Sequence, residues 1–291
     1  MTLEATTEIP FARSVSALRK AVGGWRGERQ KIALVPTMGA LHAGHLALVE
    51  RAKGLAGKVV VSIFVNPTQF GPHEDFDKYP RDEAKDVGKL ARQGKCDLIY
   101  TPQREEMYPN GFATAVRVAG VSEGLESATR PHFFQGVATV VSKLLLQCLP
   151  DVAVFGEKDY QQLLVIRCLV HDLNIPVEIV GAPTMRESDG LALSSRNAYL
   201  SAPERKIAGT LNKVLMEVAT ACAAGKPAQE TAAAAIAKLL KLGFSAIDYL
   251  EVRDAETLQS VKLVSRPARV LAAVRIGTTR LIDNVPCIPP R

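Results

Sequence analysis

The sequence predicts an α/β protein, a Rossmann-like doubly wound parallel sheet followed by a second, smaller α+β domain. Three observations carry this. Short β-branched runs (KIALVPT, VVVSIFVNP, CDLIYTP, VAVFGEKD and VEIVGAP) alternate with stretches of helical periodicity. These runs are almost continuously apolar, as strands covered on both faces by helices must be. Past about residue 185 the texture changes to helices followed by a hairpin. With 291 residues the chain exceeds one α/β unit, so the expected division is residues 1–184 for the sheet domain and 185–291 for the smaller one.

Taken in order, KIALVPT is a strand that delivers PTMG into a helix beginning near His42 and continuing through HLALVERAKGLA. VVVSIFVNP is the second strand, ending at NPTQF, and RDEAKDVGKLARQ is a helix leading to CDLIYTP. VAVFGEKD ends in a charged pair, and VEIVGAP closes the sheet. Beyond residue 200, ERKIAGTLNKVLMEVATACAAGKPAQETAAAAIAKLLKLGF is expected to form two amphipathic helices broken at GKP. The alanine-rich piece 229–239 keeps its Ile and Leu at helical spacing and is therefore a packed helix rather than low complexity. AIDYLEVRD is strand-like, and ARVLAAVRIGTTRLID is a hairpin. No repeat of fixed period is visible.

Composition narrows the class. Hydrophobic residues make up 47% and charged residues 23%, the balance of an ordinary globular protein. Thirty-six Lys and Arg against 30 Asp and Glu leave +6, which suits anionic ligands, but no basic run with interleaved aromatics marks a nucleic-acid binder. The five cysteines are far apart and never spaced as CxxC, which argues against a disulfide framework or zinc knuckle and for a reducing cytoplasm. The N-terminal MTLEATTEIPFARSV has no apolar core of signal length, and no apolar run approaches the ~20 residues of a membrane span.

Chemistry in a doubly wound sheet gathers at the carboxyl ends of the strands, where PTMG, NPTQF and GEKD sit. PTMGALHAGH places His42 and His45 beside a helix N-terminus, whose unpaired amides favour a phosphate. Gly39 lets a ligand approach the backbone and Gly44 permits close packing. Two imidazoles there can donate hydrogen bonds to phosphoryl oxygens as charge builds on them. The rival is a shared metal ion, but zinc wants three or four ligands and neither HExxH nor a Cys/His cluster accompanies the pair.

PTMGALHAGH, VSIFVNPTQF, YPR, FGEKDYQQL, MRESDGLALSSRN and RLIDN, in this order across nearly the whole chain, resemble the pantoate–β-alanine ligase (pantothenate synthetase) family. The HxGH and Ser-Ser-Arg segments are also similar to the two signatures of class I aminoacyl-tRNA synthetases and nucleotidyltransferases. The resemblance implies ATP bound between those motifs, magnesium carried with the nucleotide, pantoate and β-alanine as the other substrates, and a cytoplasmic homodimer.

Residue by residue, the resemblance implies that His42 and His45 stabilise the transition state at the α-phosphorus, with His45 as proton donor. Lys158 would supply a point charge, Arg196 a planar fork, and Ser194 and Ser195 neutral donors to the phosphates. Met38, Gly39, Gly156, Met185 and Leu193 would line the nucleotide site, and Asp159 would accept the ribose hydroxyls. Gln69 and Gln162 would hold pantoate, and no side chain is assigned as a metal ligand.

Structural readings stand beside these. Lys158 and Asp159 are equally a solvated strand-end pair, Gln69 can finish a turn after Pro67, and LSSRN has the composition of a helix cap. The family pattern Arg-Pro-Gly-His-Phe is replaced here by RPHFFQGV, with Arg130 kept, His132 in the glycine position and Phe133 in the histidine position. Asp82 and Asp86 are either candidates for steering magnesium or a solvated helix face. His73 and His171 are expected at the surface. A class I-like nucleotidyltransferase remains the alternative enzyme, distinguished by needing no amine substrate.

Overall fold

The computed structural model describes residues 9–71 and 74–290. Two compact units are formed: Met1–Val118 with Arg130–Glu157 and Val165–Pro183, and Ala119–Thr129 with Lys158–Leu164 and Thr184–Arg291. The second unit thus takes in two short segments, 119–129 and 158–164, that lie before residue 185 in sequence.

In the first unit, β1 (Phe11–Ala12), β2 (Ile32–Thr37), β3 (Lys58–Ile63), β4 (Leu98–Tyr100), β5 (Val152–Gly156) and β6 (Glu178–Ala182) form a parallel sheet in the order β1-β4-β3-β2-β5-β6. Helices α1 (Val15–Gly27), α2 (Ala43–Lys53), α3 (Glu83–Gln93), α4 (Arg104–Met107) and, beyond the short α5 (Glu126–Thr129) of the second unit, α6 (Phe133–Cys148) supply the connections. α7 (Tyr160–Asp172) runs from β5 toward β6. Val59, Val60, Val61, Val152, Ala153 and Val154 are all fully buried, as a sheet covered on both faces requires. The two-residue β1, which pairs with β4 at Phe11–Ile99, is too short to carry a periodicity signal.

The chain steps outward from β2 to β4 and then returns to place β5 on the other side of β2, so the topological switch lies between β2 and β5. β2 pairs with β3 from Ile32–Lys58 through Thr37–Ile63, but with β5 only at Ala33–Val152 and Leu34–Ala153. Pro36, with no N–H to donate, stands two residues beyond the last of these pairs. The two central ladders therefore end unequally, at the place where an open α/β sheet binds its ligand.

In the second unit, α8 (Ala202–Ala208), α9 (Leu211–Ala223) and α10 (Ala228–Lys241) pack on the antiparallel sheet β7 (Ala246–Asp254), β8 (Ala268–Ile276) and β9 (Thr279–Cys287). The predicted strand and hairpin are realised there. The first of the two expected helices is instead split at Gly209–Thr210. Gly209 is still helical, but the Thr210 N–H and hydroxyl both turn back to the Ile207 carbonyl, at 2.9 and 2.7 Å, so the helix breaks where periodicity alone continues it. All five cysteines are free thiols. Among the described residues no helix is long and apolar enough to cross a membrane. The expectations for the first eight residues and for His73 lie outside the described residues.

Candidate active site

The turn after β2 is built by Thr37. Its buried hydroxyl donates to the Ser62 carbonyl at 2.8 Å and accepts the Gly39 N–H at 3.2 Å. Gly39 (φ +78°) and Ala40 (φ +49°) are both left-handed, and a Cβ on Gly39 would meet Asp86 Oδ2 at 3.1 Å. Asp86 sits under the turn, only 2% exposed, and accepts the Leu41 N–H at 2.8 Å. Burial raises its carboxyl above the usual value, opposed by the hydrogen bonds from Leu41 and Ala40. The solvated-face expectation fails for Asp86, which is a buried brace for the PTMGAL turn. Asp82 caps α3 by accepting the Lys85 N–H at 3.0 Å.

α2 begins at His42, an unusual N-cap. Its Nδ1 accepts the Gly44 N–H at 3.1 Å, and its own N–H donates to His45 Nδ1 at 3.3 Å, a reciprocal capping box made of imidazoles. The ring centroids lie 4.1 Å apart. With Nδ1 used as an acceptor in each neutral ring, the proton sits on Nε2, which makes both side chains Nε2–H donors. On β5, Gly156 has nothing closer than Leu48 at 4.0 Å to where a Cβ would be, so its backbone can be approached.

Gln69 ends a short 3-10 turn, Pro67–Gln69, as the turn reading allowed, but its side chain is also oriented. Buried Asn66 donates to Gln69 Oε1 at 2.9 Å and to the Gly136 carbonyl at 3.2 Å. Asn66 Oδ1 accepts from Thr68 Oγ1 at 3.0 Å and Tyr108 OH at 2.8 Å. A Cβ on Gly136 would fall 2.3 Å from the Thr68 carbonyl, so α6 can lie against this turn only with glycine there. Arg130 donates to the Gln69 carbonyl at 2.9 Å, makes a bidentate pair with Glu74 at 2.6 and 2.7 Å, and stacks 3.8 Å over the Phe133 ring. Phe133 is thus the platform for Arg130, while His132 is exposed at the start of α6 and makes no side-chain cap.

The 3-10 turn Glu157–Asp159 carries Lys158, which is the first residue of a segment of the second unit and whose Nζ lies 3.7 Å from Asp159 Oδ2. Lys158 is 19% exposed and Asp159 41%, so the pair is not a wholly solvated one. The Lys158 carbonyl accepts from Asn284 Nδ2 at 2.8 Å. Gln162 is half-buried on α7. Its neighbour Gln161, also within FGEKDYQQL but given no role by the sequence, is buried and binds the Glu126 N–H at 3.2 Å and the Val121 carbonyl at 3.1 Å.

Met185 and Leu193 face each other across a hairpin closed by the Arg186–Ala192 bridge and by the Leu193 N–H donating to the Met185 carbonyl at 2.9 Å. Ser194 follows and caps the 3-10 turn Ser195–Tyr199, accepting the Arg196 N–H at 3.3 Å. The cap reading of LSSRN therefore describes Ser194 and leaves the Ser195 and Arg196 side chains half-buried beside it. Among the described residues no group of three or more His, Cys, Asp or Glu side chains gathers in a way that could hold a metal ion.

A profile of the family described as pantoate-beta-alanine ligase matches residues 10–286. The pantothenate synthetase of Paramagnetospirillum magneticum is 58% identical over 280 residues, covering 96% of this chain and 98% of that protein. The crystal structure of pantothenate synthetase from Thermus thermophilus superposes with a TM-score of 0.89 at 47% identity, over 97% of this chain and 100% of that one. The Francisella tularensis ligase, solved in complex with β-γ ATP and β-alanine, superposes with a TM-score of 0.81 at 33% identity, over 95% and 97% of the two chains. From strand order to motif order to near-complete coverage, the chain belongs to the pantoate–β-alanine ligase family.

Proposed function

We propose that this chain condenses (R)-pantoate with β-alanine to pantothenate at the expense of ATP, through a pantoyl adenylate, releasing AMP and pyrophosphate. Family membership supports the overall condensation, and the Francisella relative was solved with β-γ ATP and β-alanine. The observation that carries the stepwise reading is the reciprocal cap of His42 and His45, which turns both imidazoles into Nε2–H donors at a helix N-terminus following the central strand.

In the first step a pantoate carboxylate oxygen forms a bond to the α-phosphorus and the bond to the β-bridging oxygen breaks, so pyrophosphate leaves with the electron pair. Little covalent help is needed; charge on the phosphates must be met and the reactants held in line. His42 and His45 meet the charge at the α-phosphate through their Nε2–H groups, with His45 as the hydrogen-bond donor that follows the developing charge. Lys158, Ser194, Ser195 and Arg196 bind the phosphates as a point charge, two hydroxyls and a fork. Met38, Gly39, Gly156, Met185 and Leu193 line the nucleotide, Asp159 accepts from the ribose hydroxyls, and Gln69 and Gln162 hold pantoate.

In the second step the neutral β-alanine nitrogen attacks the acyl carbon, the bond to AMP breaks with its electron pair going to the AMP phosphate, and the proton released by the amine passes to that phosphate or to solvent. ATP would bring magnesium with it to neutralise phosphate charge, and the phosphate donors assigned here, Lys158, Ser194, Ser195 and Arg196, are cationic or neutral, as suits a metal brought by the substrate. Residues 185–291 act as a lid over the 1–184 domain, since an acyl adenylate hydrolyses where water reaches it. The same reading takes the protein to be a cytoplasmic homodimer.

Pyrophosphate release from Mg-ATP and D-pantoate, with and without β-alanine, tests this reading. Multiple turnovers only with the amine, lost in His45→Ala, are expected. No release with pantoate under either condition would transfer the motifs to a nucleotidyltransferase with another acceptor.

A further inference from the structure

The RLIDN segment of β9 matches the family motif set, yet the mechanism above gives it no task. Two of its polar residues, Asp283 and Asn284, are each 3% exposed in the second unit and are held by a nine-residue strand paired along its length with β8. Asp283 makes a bidentate pair with Arg186 at 2.7 and 2.8 Å. Arg186 also donates to the carbonyls of Gly190 at 2.9 Å and Asn284 at 3.1 Å, so it grips the hairpin tip and the sheet together. The outgoing arm of that hairpin runs straight into Ser194, Ser195 and Arg196.

Asn284 holds the other phosphate-binding segment. Its Oδ1 accepts from Arg269 Nε at 2.7 Å, which leaves Nδ2 as the group facing the Lys158 carbonyl, at 2.8 Å. Arg269 is itself fixed, stacked 4.0 Å over the ring of Tyr160, whose hydroxyl donates to the Ala255 carbonyl at 2.9 Å. A lysine ammonium stands at the end of four rotatable bonds, so its position is only as defined as the backbone that carries it. Two adjacent residues of one rigid strand therefore set the backbone of Lys158 and, through Arg186, that of the Ser194–Arg196 segment.

We propose that Asn284 is a positioning residue for adenylation: its side-chain amide anchors the Lys158 turn to the same strand that anchors the Ser-Ser-Arg hairpin and keeps the two sets of phosphate donors in register. This rests on the assignment of Lys158 to the ATP phosphates.

The test is a double-mutant cycle of Asn284→Ala with Lys158→Ala, read by pantoate-dependent pyrophosphate release on protein shown by thermal melting to be folded. Asn284→Ala alone is expected to lower kcat/KM for ATP by up to about 10²-fold, the scale of a misplaced catalytic group, while KM for β-alanine holds. In the Lys158→Ala background the same change is expected to cost less than about twofold, because the group it acts through is gone. Should Asn284→Ala not fold, Asn284→Asp replaces it, keeping the volume and the acceptor for Arg269 while losing the donor to the Lys158 carbonyl. An equal loss in both backgrounds, or no loss in either, overturns the proposal. Full activity of Lys158→Ala alone would instead remove the phosphate-site assignment on which it rests.

Discussion

His42 and His45 cap one helix for each other: the Nδ1 of His42 takes the Gly44 N–H, and the Nδ1 of His45 takes the His42 N–H. One geometry thus closes a helix end and fixes which nitrogen of each ring donates. The two roles separate by substitution. His42→Asn keeps a short side-chain acceptor at the N-cap and is expected to retain near-native stability, whereas His42→Ala loses about 1 kcal/mol. Both are expected to lose about 10²–10³-fold in adenylation, the scale for removing one preorganised donor. Thermal melts alongside pyrophosphate release check this, and an active His42→Asn would reduce the histidine to a cap.

Asn66 serves Gln69 in the same manner. Asn66→Ala strips the Nδ2 partner from Gln69 and leaves the Tyr108 hydroxyl without its acceptor on Asn66. Loss of an orienting hydrogen bond of about 1.4 kcal/mol corresponds to a tenfold rise in KM for pantoate. Steady-state kinetics should show that rise with KM for ATP unchanged; an equal rise for both substrates would mean general disorder of the turn.

Gly136 tests the packing beneath that turn. A Cβ there would overlap the Thr68 carbonyl, and backbone atoms cannot yield as a side-chain tip can. Gly136→Ala is expected to destabilise the protein by about 1–3 kcal/mol, as overpacking does, and to weaken pantoate before it weakens ATP. A variant with native melting temperature and native pantoate KM would show that the turn and α6 can part without consequence.

The hairpin before Ser194 carries a pH signature. Arg205 donates to both Asp189 oxygens, at 2.6 and 3.0 Å, and this grip holds the Asp189 carboxyl below its usual value of 3.8. A depressed folded pKa contributes stability that is present above the unfolded value and lost as pH falls through the folded one. The native protein is therefore expected to melt above Asp189→Asn near about pH 7, with the gap closing below about pH 4. Melting curves across that range check it; a gap that is constant with pH would assign the difference to packing.

Much of the fold and of the candidate site is visible in local sequence. Strands such as VAVFG and AIDYLEVRD declare themselves through β-branched runs, and PTMGALHAGH places its histidines at a strand-to-helix turn because both elements are short-range objects. The most telling motifs each lie within about a dozen residues, so their order alone identifies the family.

What only the tertiary structure decided are the relationships between distant residues. Asp86, polar and at a helical period, reads as solvated until the PTMGAL turn is seen resting on it. Asn66 pairs with residues as far along the chain as Gly136, and Asn284 reaches the Lys158 carbonyl 126 positions away. Gly209 tolerates the close approach of Asp189 because it has no Cβ, which no helical propensity records. Periodicity and turn chemistry report each residue's neighbours along the chain, whereas a buried polar group is defined by whichever partner satisfies it in space, and that partner is set by the packing of the whole unit.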